Sequence, residues 1–194
     1  MYRDSKDTKH IIVALVEDKP GVLNRVSSLL RRRNFNIESI AVGHTEQPDL
    51  SRMILIVEGD EAKVEQVRKQ LDKVVEVVRI VDITDMQPVT RELALIKVKA
   101  TPSTRSEIIQ IVDIFRANIV DVGADSLIVE VTGDEEKVGS LMDLLRGFGI
   151  REIARTGRIA LCRGGPGPLM TEETRIPKHI LRPSRAEAES PPDW

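Results

Sequence analysis

The sequence contains few cysteines, few aromatic residues and no excess of charge of either sign. Cys162 is the only cysteine among 194 residues, so no disulfide can form within the chain, as is typical of a reducing compartment. Aromatic residues make up 3 % of the chain and hydrophobic residues 41 %, so any core must consist mainly of Val, Ile and Leu. The formal net charge of −2 creates no strong field that would attract nucleic acid or a membrane surface.

Long hydrophobic runs are also missing. No stretch approaches the roughly 20 apolar residues that a membrane-spanning helix needs. Residues 1–9 are polar and lack the apolar region of a secretion signal. These features predict a cytoplasmic protein.

Residues that would indicate catalysis or metal binding are sparse and scattered. His10, His44 and His179 fall in different predicted elements, and none has Cys or carboxylate neighbours at the spacing of metal ligands. Cys162 has no predicted base partner, so we interpret it as a small structural residue. Neither a G-x-S-x-G nucleophile turn nor a Walker loop occurs. We therefore predict no catalytic residue and no metal site.

The first part of the chain, residues 9–84, alternates strand and helix patterns. The apolar run His10–Glu17 predicts a strand buried on both faces. From Val22 the apolar residues recur at spacings of three and four, which predicts a helix. Two further strands (35–42 and 52–58), a second helix after residue 59 and a strand over 74–83 follow. The order β-α-β-β-α-β is that of a ferredoxin-like unit.

The same order returns over residues 90–162, after a linker around Pro88. The helix start Gly59-Asp60-Glu61 recurs as Gly133-Asp134-Glu135, in the same place within its unit. The stretch from 149 to 162 is interpreted as the final strand region. Residues 163–194 are rich in Gly, Pro and charge, and we predict a poorly ordered tail there. The predicted fold class is thus α+β, with two tandem ferredoxin-like units and a tail.

One segment invites a specific ligand, where the first strand leads into the first helix. The amides of Gly21, Val22 and Leu23 open that helix, and a helix N-terminus favours a carboxylate. Gly21 has no Cβ and lets a ligand approach the backbone. Asp18 could pair with an ammonium, so together these groups suit an α-amino acid. The structural alternative is that Asp18 only caps the helix and Gly21 only shapes the turn.

The order strand, D-x-P-G-x-L, helix resembles the ACT domain, a family of amino-acid-binding modules. Further stretches resemble the acetolactate synthase (acetohydroxyacid synthase) small regulatory subunit in particular. They extend, in unchanged order, from about His10 to Arg163, and the most distinctive are Asn36-Ile37-Glu38-Ser39, Arg91 to Lys97 and Glu107 to Asp121.

This resemblance implies a function and a binding site. Members have an N-terminal ACT domain and a C-terminal domain of similar topology, and they form homodimers that hold valine at the interface of the ACT domains. By position, Gly21, Val22 and Leu23 would bind the carboxylate of valine and Asp18 its ammonium. Asn36 and Ile37, from the strand facing the partner subunit, would complete the pocket.

The resemblance also implies the partner and the cofactors. The chain would dock on the catalytic large subunit of acetolactate synthase, activate it and make it sensitive to valine or another branched-chain amino acid. Thiamine diphosphate, magnesium and FAD are expected in that catalytic subunit and none of them in this non-catalytic chain.

Three other functions stay open from the residues. The first is a stand-alone ACT-type regulator of another enzyme or of transcription. The second is an RNA-binding sheet, which the lack of aromatic residues other than Phe35 in the first unit disfavours. The third is a nickel-sensing relative, which the missing histidine cluster disfavours. At the place equivalent to Gly21 the second unit has Ser103-Thr104, so no second amino-acid site is predicted there.

Overall fold

The computed structural model describes residues 8–33, 35–165 and 167–169, and only the backbone of Thr8. Two units account for these residues. The first contains the described residues up to Pro88 together with those from Leu161 onward, and the second contains Val89–Ala160. Most of the predicted tail, namely Pro166 and 170–194, lies outside the described residues. Among the described residues, no helix is long and apolar enough to span a membrane.

The first unit is a four-stranded antiparallel sheet with two helices on one face. Its strands lie in the order β2-β3-β1-β4, with β1 and β3 in the centre. The elements along the chain are β1 (Thr8–Glu17), α1 (Val22–Arg32), β2 (Ile37–His44), β3 (Leu50–Gly59), α2 (Glu61–Leu71) and β4 (Val77–Asp82).

The second unit repeats this topology after a 3-10 turn at Thr84–Met86. The strand order is β6-β7-β5-β8, and a short extra strand, β9, pairs with β5. The elements are β5 (Val89–Lys99), α3 (Arg105–Ile114), β6 (Asn118–Val122), β7 (Ser126–Gly133), α4 (Glu135–Arg146), β8 (Ile150–Arg155) and β9 (Ile159–Leu161). The predicted α+β class with two ferredoxin-like units is confirmed.

The central strands β1 and β3 of the first unit are buried on both faces, as the β1 sequence predicted. Ile12, Ala14 and Val16 point toward α1 and α2 and belong to the core between sheet and helices. The opposite face, which we call the helix-free face, carries an equally apolar set of buried side chains from β1 and β3: Val13, Leu15, Ile54 and Ile56. The second unit differs, because Leu95 and Lys97 on the corresponding face are not fully buried.

The internal repeat persists at the level of side chains. Asp60 caps α2 by accepting a hydrogen bond from the amide of Lys63 at 2.8 Å. Asp134 caps α4 in the same way, accepting from the amide of Lys137 at 2.9 Å. A Cβ at the preceding residue, Gly59, would come within 2.8 Å of the lysine Cδ, and Gly133 is under the same constraint. The recurring Gly-Asp-Glu therefore marks one helix-start device used twice.

Several predicted strand boundaries were wrong. The strand predicted over 35–42 spans Ile37–His44, and the one predicted over 52–58 spans Leu50–Gly59. Two larger differences have a physical reason. The strand predicted from residue 74 begins only at Val77, because Val74 to Glu76 form a turn closed by the Val77 amide donating to the Val74 carbonyl at 2.9 Å. This turn reverses the chain after α2 ends. The final strand region is divided into β8 and β9, since Gly157 adopts a left-handed φ of 80° that breaks the extended backbone.

Candidate functional site

The loop between β1 and α1 leaves the start of the helix without a side-chain cap. Gly21 is the N-cap residue, in a left-handed conformation with φ of 90° that favours glycine. Among the described residues no side-chain hydrogen bond caps the N-terminus of α1, and its first turn contains no acidic residue. The positive end of the helix dipole is therefore not neutralised by the helix's own side chains.

The space in front of this helix start is open. A Cβ built on Gly21 would meet no atom within 4 Å. The amide of Val22 donates to the Lys19 carbonyl over a long 3.4 Å, and the described hydrogen bonds include none from the Gly21 or Leu23 amides. An arrangement of open amides beside a glycine suits an anionic oxygen, and a carboxylate is such a group.

Asp18 does not cap α1, which removes the structural alternative for this residue. Its carboxylate Oδ2 instead lies 3.1 Å from Nδ1 of His44, at the end of β2. The Asp18 amide donates to the Asp49 carbonyl at 2.7 Å and so ties the loop to the β2–β3 connection. Because both the Asp18 and His44 side chains are exposed, the carboxylate is accessible to a ligand's ammonium.

The side chains of Val22 and Leu23 point in different directions. Val22 is buried in the first core, so only its backbone can contribute to a surface site. Leu23 is 50 % exposed, so its side chain is accessible at the start of the helix. An aliphatic ligand side chain could therefore pack on Leu23.

Asn36 and Ile37 lie at the other end of β2. Ile37 pairs with Val57 of β3, whereas His44 pairs with Ser51 near the opposite end of that strand. At the usual rise per residue the two ends of β2 are roughly 20 Å apart, and the loop after β1 is at the His44 end. A single chain thus brings four of the six predicted site residues together and leaves Asn36 and Ile37 apart from them.

Strand β2, which begins at Ile37 directly after Asn36, is the open edge of the sheet. β2 pairs only with β3 in the four-stranded order. Apolar side chains remain exposed on this edge, with Ile40 36 % and Val42 49 % accessible. An exposed strand edge with apolar side chains is a surface on which a further strand can pair.

His44 is the neighbour of the site that sequence reasoning missed. Its imidazole reaches Asp18 only because β2 and β3 align in a particular register, and 26 positions separate the two residues along the chain. No spacing of residues within the sequence indicates the contact between His44 and Asp18.

A second feature of this region is the ion pair of Arg25 with Glu76, which joins α1 to the turn before β4.

Neither the histidines nor the cysteine form a reactive or metal-binding group in the described part of the chain. No cluster of three His, Cys, Asp or Glu side chains suited to a metal ion occurs there. His10 pairs with Asp82 at 3.0 Å through Nδ1. The Sγ atom of Cys162 lies 3.8 Å from the sulfur of Met86 and beside no base.

Comparison with known families matches both units in the expected order. The model of the AHAS small subunit-like ACT domain matches residues 12–79, and the model of the small subunit of acetolactate synthase matches residues 91–164. The chain belongs to the acetolactate synthase small-subunit family. The predicted resemblance is thereby confirmed, and residues 165–194 extend beyond the family match.

Individual members of the acetolactate synthase small-subunit family are similar over nearly their whole length. The probable acetolactate synthase small subunit of Archaeoglobus fulgidus is 58 % identical over 156 residues, covering 80 % of this chain and 98 % of that protein. The small subunit of Mycolicibacterium smegmatis is 51 % identical over 158 residues, covering 81 % and 93 %. The crystal structure of the Thermotoga maritima small subunit superposes with a TM-score of 0.75 at 43 % identity, covering 82 % of this chain and 99 % of that one.

Proposed function

We propose that this chain is the regulatory subunit of acetolactate synthase in the biosynthesis of valine, leucine and isoleucine. It binds the catalytic large subunit, raises its activity and makes it subject to feedback inhibition by valine. The observation that carries the proposal is the open, uncapped start of α1 at Gly21, in a chain that belongs to the small-subunit family.

Valine is a zwitterion with a short branched side chain, and the loop offers a group for each part. The amides of Gly21, Val22 and Leu23 receive the carboxylate. The Asp18 carboxylate, held beside His44, receives the ammonium. The exposed side chain of Leu23 borders the space for the aliphatic part.

The pocket is completed by a second copy of the chain. We propose a homodimer in which the two β2 edges pair antiparallel about a two-fold axis, burying Ile40 and Val42. Because Ile37 and His44 stand at opposite ends of β2, this pairing sets the partner subunit's Ile37 opposite His44. The partner's Asn36 and Ile37 then meet the Gly21 loop, which unites all six site residues.

Regulation requires that valine bind the activating and inhibited states with different affinity. A coupling of about 1–3 kcal/mol, equivalent to roughly 5- to 150-fold, is the usual size of such an effect. A ligand shared by two subunits suits this role, because it senses any change in how the two ACT domains are paired.

The chain itself supplies no catalytic group in this proposal. Thiamine diphosphate, magnesium and FAD are assigned to the catalytic subunit, and the complex is assigned to the cytoplasm. In the second unit, the Thr101 hydroxyl hydrogen-bonds with the hydroxyls of Ser103 and Thr104 at the start of α3. We therefore assign that unit no amino-acid site.

The decisive experiment has two parts. Calorimetric titration of the purified chain with valine, leucine and isoleucine tests binding, and we expect heat with at least valine. Co-purification with the catalytic subunit, followed by an assay with and without valine, tests regulation. Valine binding without affinity for the catalytic subunit would instead indicate a stand-alone ACT-type regulator, and no heat with any of the three amino acids would reject the sensing site.

A further inference from the structure

The helix-free face of the first sheet is an apolar surface that something within the chain must cover. Val13 and Ile54 stand directly opposite each other on β1 and β3. Val13 is 3 % and the neighbouring Leu15 1 % exposed, although neither belongs to the core beneath the helices. Apolar surface is buried only where other atoms exclude water from it.

Arg79 identifies a segment on that face. It pairs with Leu15 across β1 and β4, and directly paired residues project from the same side of a sheet. Its Nε donates a hydrogen bond to the carbonyl of Pro168 at 3.0 Å. Pro168 therefore lies over the helix-free face, at the β4 edge.

The residues around Pro168 are held against the first unit at further points. Leu169 is 3 % exposed, which is the burial of a core residue. Upstream, Nε of Arg163 donates to the carbonyl of Gln87 at 3.1 Å. These residues also group with the first unit rather than with the second, from which the chain arrives.

We infer that the helix-free face is a docking surface for the chain's own C-terminal segment, residues 167–169. Leu169 is the apolar anchor of the segment, and the Arg79 side chain is the polar contact that fixes its path. Residues 165–169 lie beyond the family match.

Thiol labelling of the full-length chain tests this inference. With Cys162→Ser as background, Val13→Cys introduces a thiol on the helix-free face and Ala14→Cys a thiol on the helix side of the same strand. Both thiols should react slowly with a maleimide. Adding Leu169→Asp should accelerate labelling at position 13 by roughly tenfold or more and leave position 14 protected, because only the local cover opens.

Two further variants sharpen the test. Arg79→Gln, which removes the guanidinium, should accelerate labelling at position 13 less than Leu169→Asp does. Leu161→Asp changes an already exposed residue and should have no effect. Fast labelling at position 13 in the unsubstituted background, or no acceleration with Leu169→Asp, would overturn the inference. So would equal acceleration at both positions. Leu169→Ala repeats the test with a milder change should the aspartate prevent folding.

Discussion

The carboxylate of Asp18 lies 3.1 Å from Nδ1 of His44 and thereby joins the loop after β1 to the end of β2. This contact holds the negative charge at the surface, next to the open amides of α1, instead of turning it onto the helix as a cap. An acidic group and unpaired donors at one loop correspond to the two charges of an amino acid.

Removing the charge of Asp18 is the most direct test of this arrangement. Asp18→Asn keeps the size of the side chain, and we expect valine affinity to fall about tenfold or more, since a hydrogen bond to a charged group contributes roughly 1.5–3 kcal/mol. The matched control is His44→Gln, which preserves the carboxylate and should change the affinity much less. Calorimetry measures both. Equal losses in the two variants would mean that the carboxylate is not the group that binds the ammonium.

Two substitutions at Gly21 distinguish the effect of an added charge from that of backbone strain. Gly21→Asp would place a carboxylate against that of valine and should abolish feedback inhibition, whereas Gly21→Ala adds only a methyl group. Because φ is 90°, we expect the alanine variant to lose about 1–2 kcal/mol of unfolding free energy. Chemical denaturation measures that cost, and the acetolactate synthase assay measures inhibition. Retained valine inhibition in a folded Gly21→Asp protein would remove the site assignment.

The edge of β2 tests the proposed dimer. Val42→Lys puts a charge on the open strand edge and should dissociate the dimer and abolish valine binding together, because the pocket needs Asn36 and Ile37 from the partner. Val75→Lys is the control, since Val75 is exposed in a turn outside the sheet. Sedimentation velocity and calorimetry on the same samples provide the two readouts. A monomeric Val42→Lys protein that binds valine normally would show that one chain suffices.

The repeated helix caps make a stability prediction for each unit. Asp60→Ala leaves the amide of Lys63 without its acceptor, and Asp134→Ala does the same to Lys137. Each change should lower the unfolding free energy of its unit by about 0.5–2 kcal/mol. Asp60→Asn and Asp134→Asn retain an acceptor oxygen and should cost less. Hydrogen exchange of α2 and α4 distinguishes the two units.

Glu65 provides a pH-dependent prediction. The hydrogen bond from Arg68 is the main reason that the pKa of Glu65 is lowered from 4.5 to about 2. A lowered pKa in the folded state means that the stabilisation is present above pH 4.5 and lost as the pH falls toward 2. NMR titration of the Glu65 carboxyl should therefore find a midpoint well below the usual range, and Arg68→Gln should return it upward. An unchanged midpoint in that variant would contradict the assignment of cause.

The fold could be predicted because its signals are local. Spacings of three and four apolar residues from Val22, continuous apolar strands and paired Gly-Asp-Glu starts each determine an element within a few residues. The errors came where the backbone departs from a regular path without a change in hydrophobicity. Val74 and Val75 favour a strand by composition, yet the chain needs them for the turn into β4.

The candidate site could be predicted only in part, for a related reason. The Gly21 loop is a contiguous stretch, so its sequence alone indicates open amides. His44 joins it through strand register, whereas Asn36 and Ile37 lie at the opposite end of β2 in the same chain. The hydrogen bond from Arg79 to the Pro168 carbonyl likewise could not be predicted, since nothing near Pro168 in the sequence indicates it.

The return of the chain to the first unit after β9 has a consequence for biosynthesis. The ribosome makes β1 to β4 early, but it delivers Pro168 and Leu169 only after the whole of Val89–Ala160 has been synthesised. During most of its translation, a nascent chain therefore exposes the apolar helix-free face to solvent. Premature termination between the two units would release a product with that surface bare, and such a fragment should depend on chaperones or precipitate.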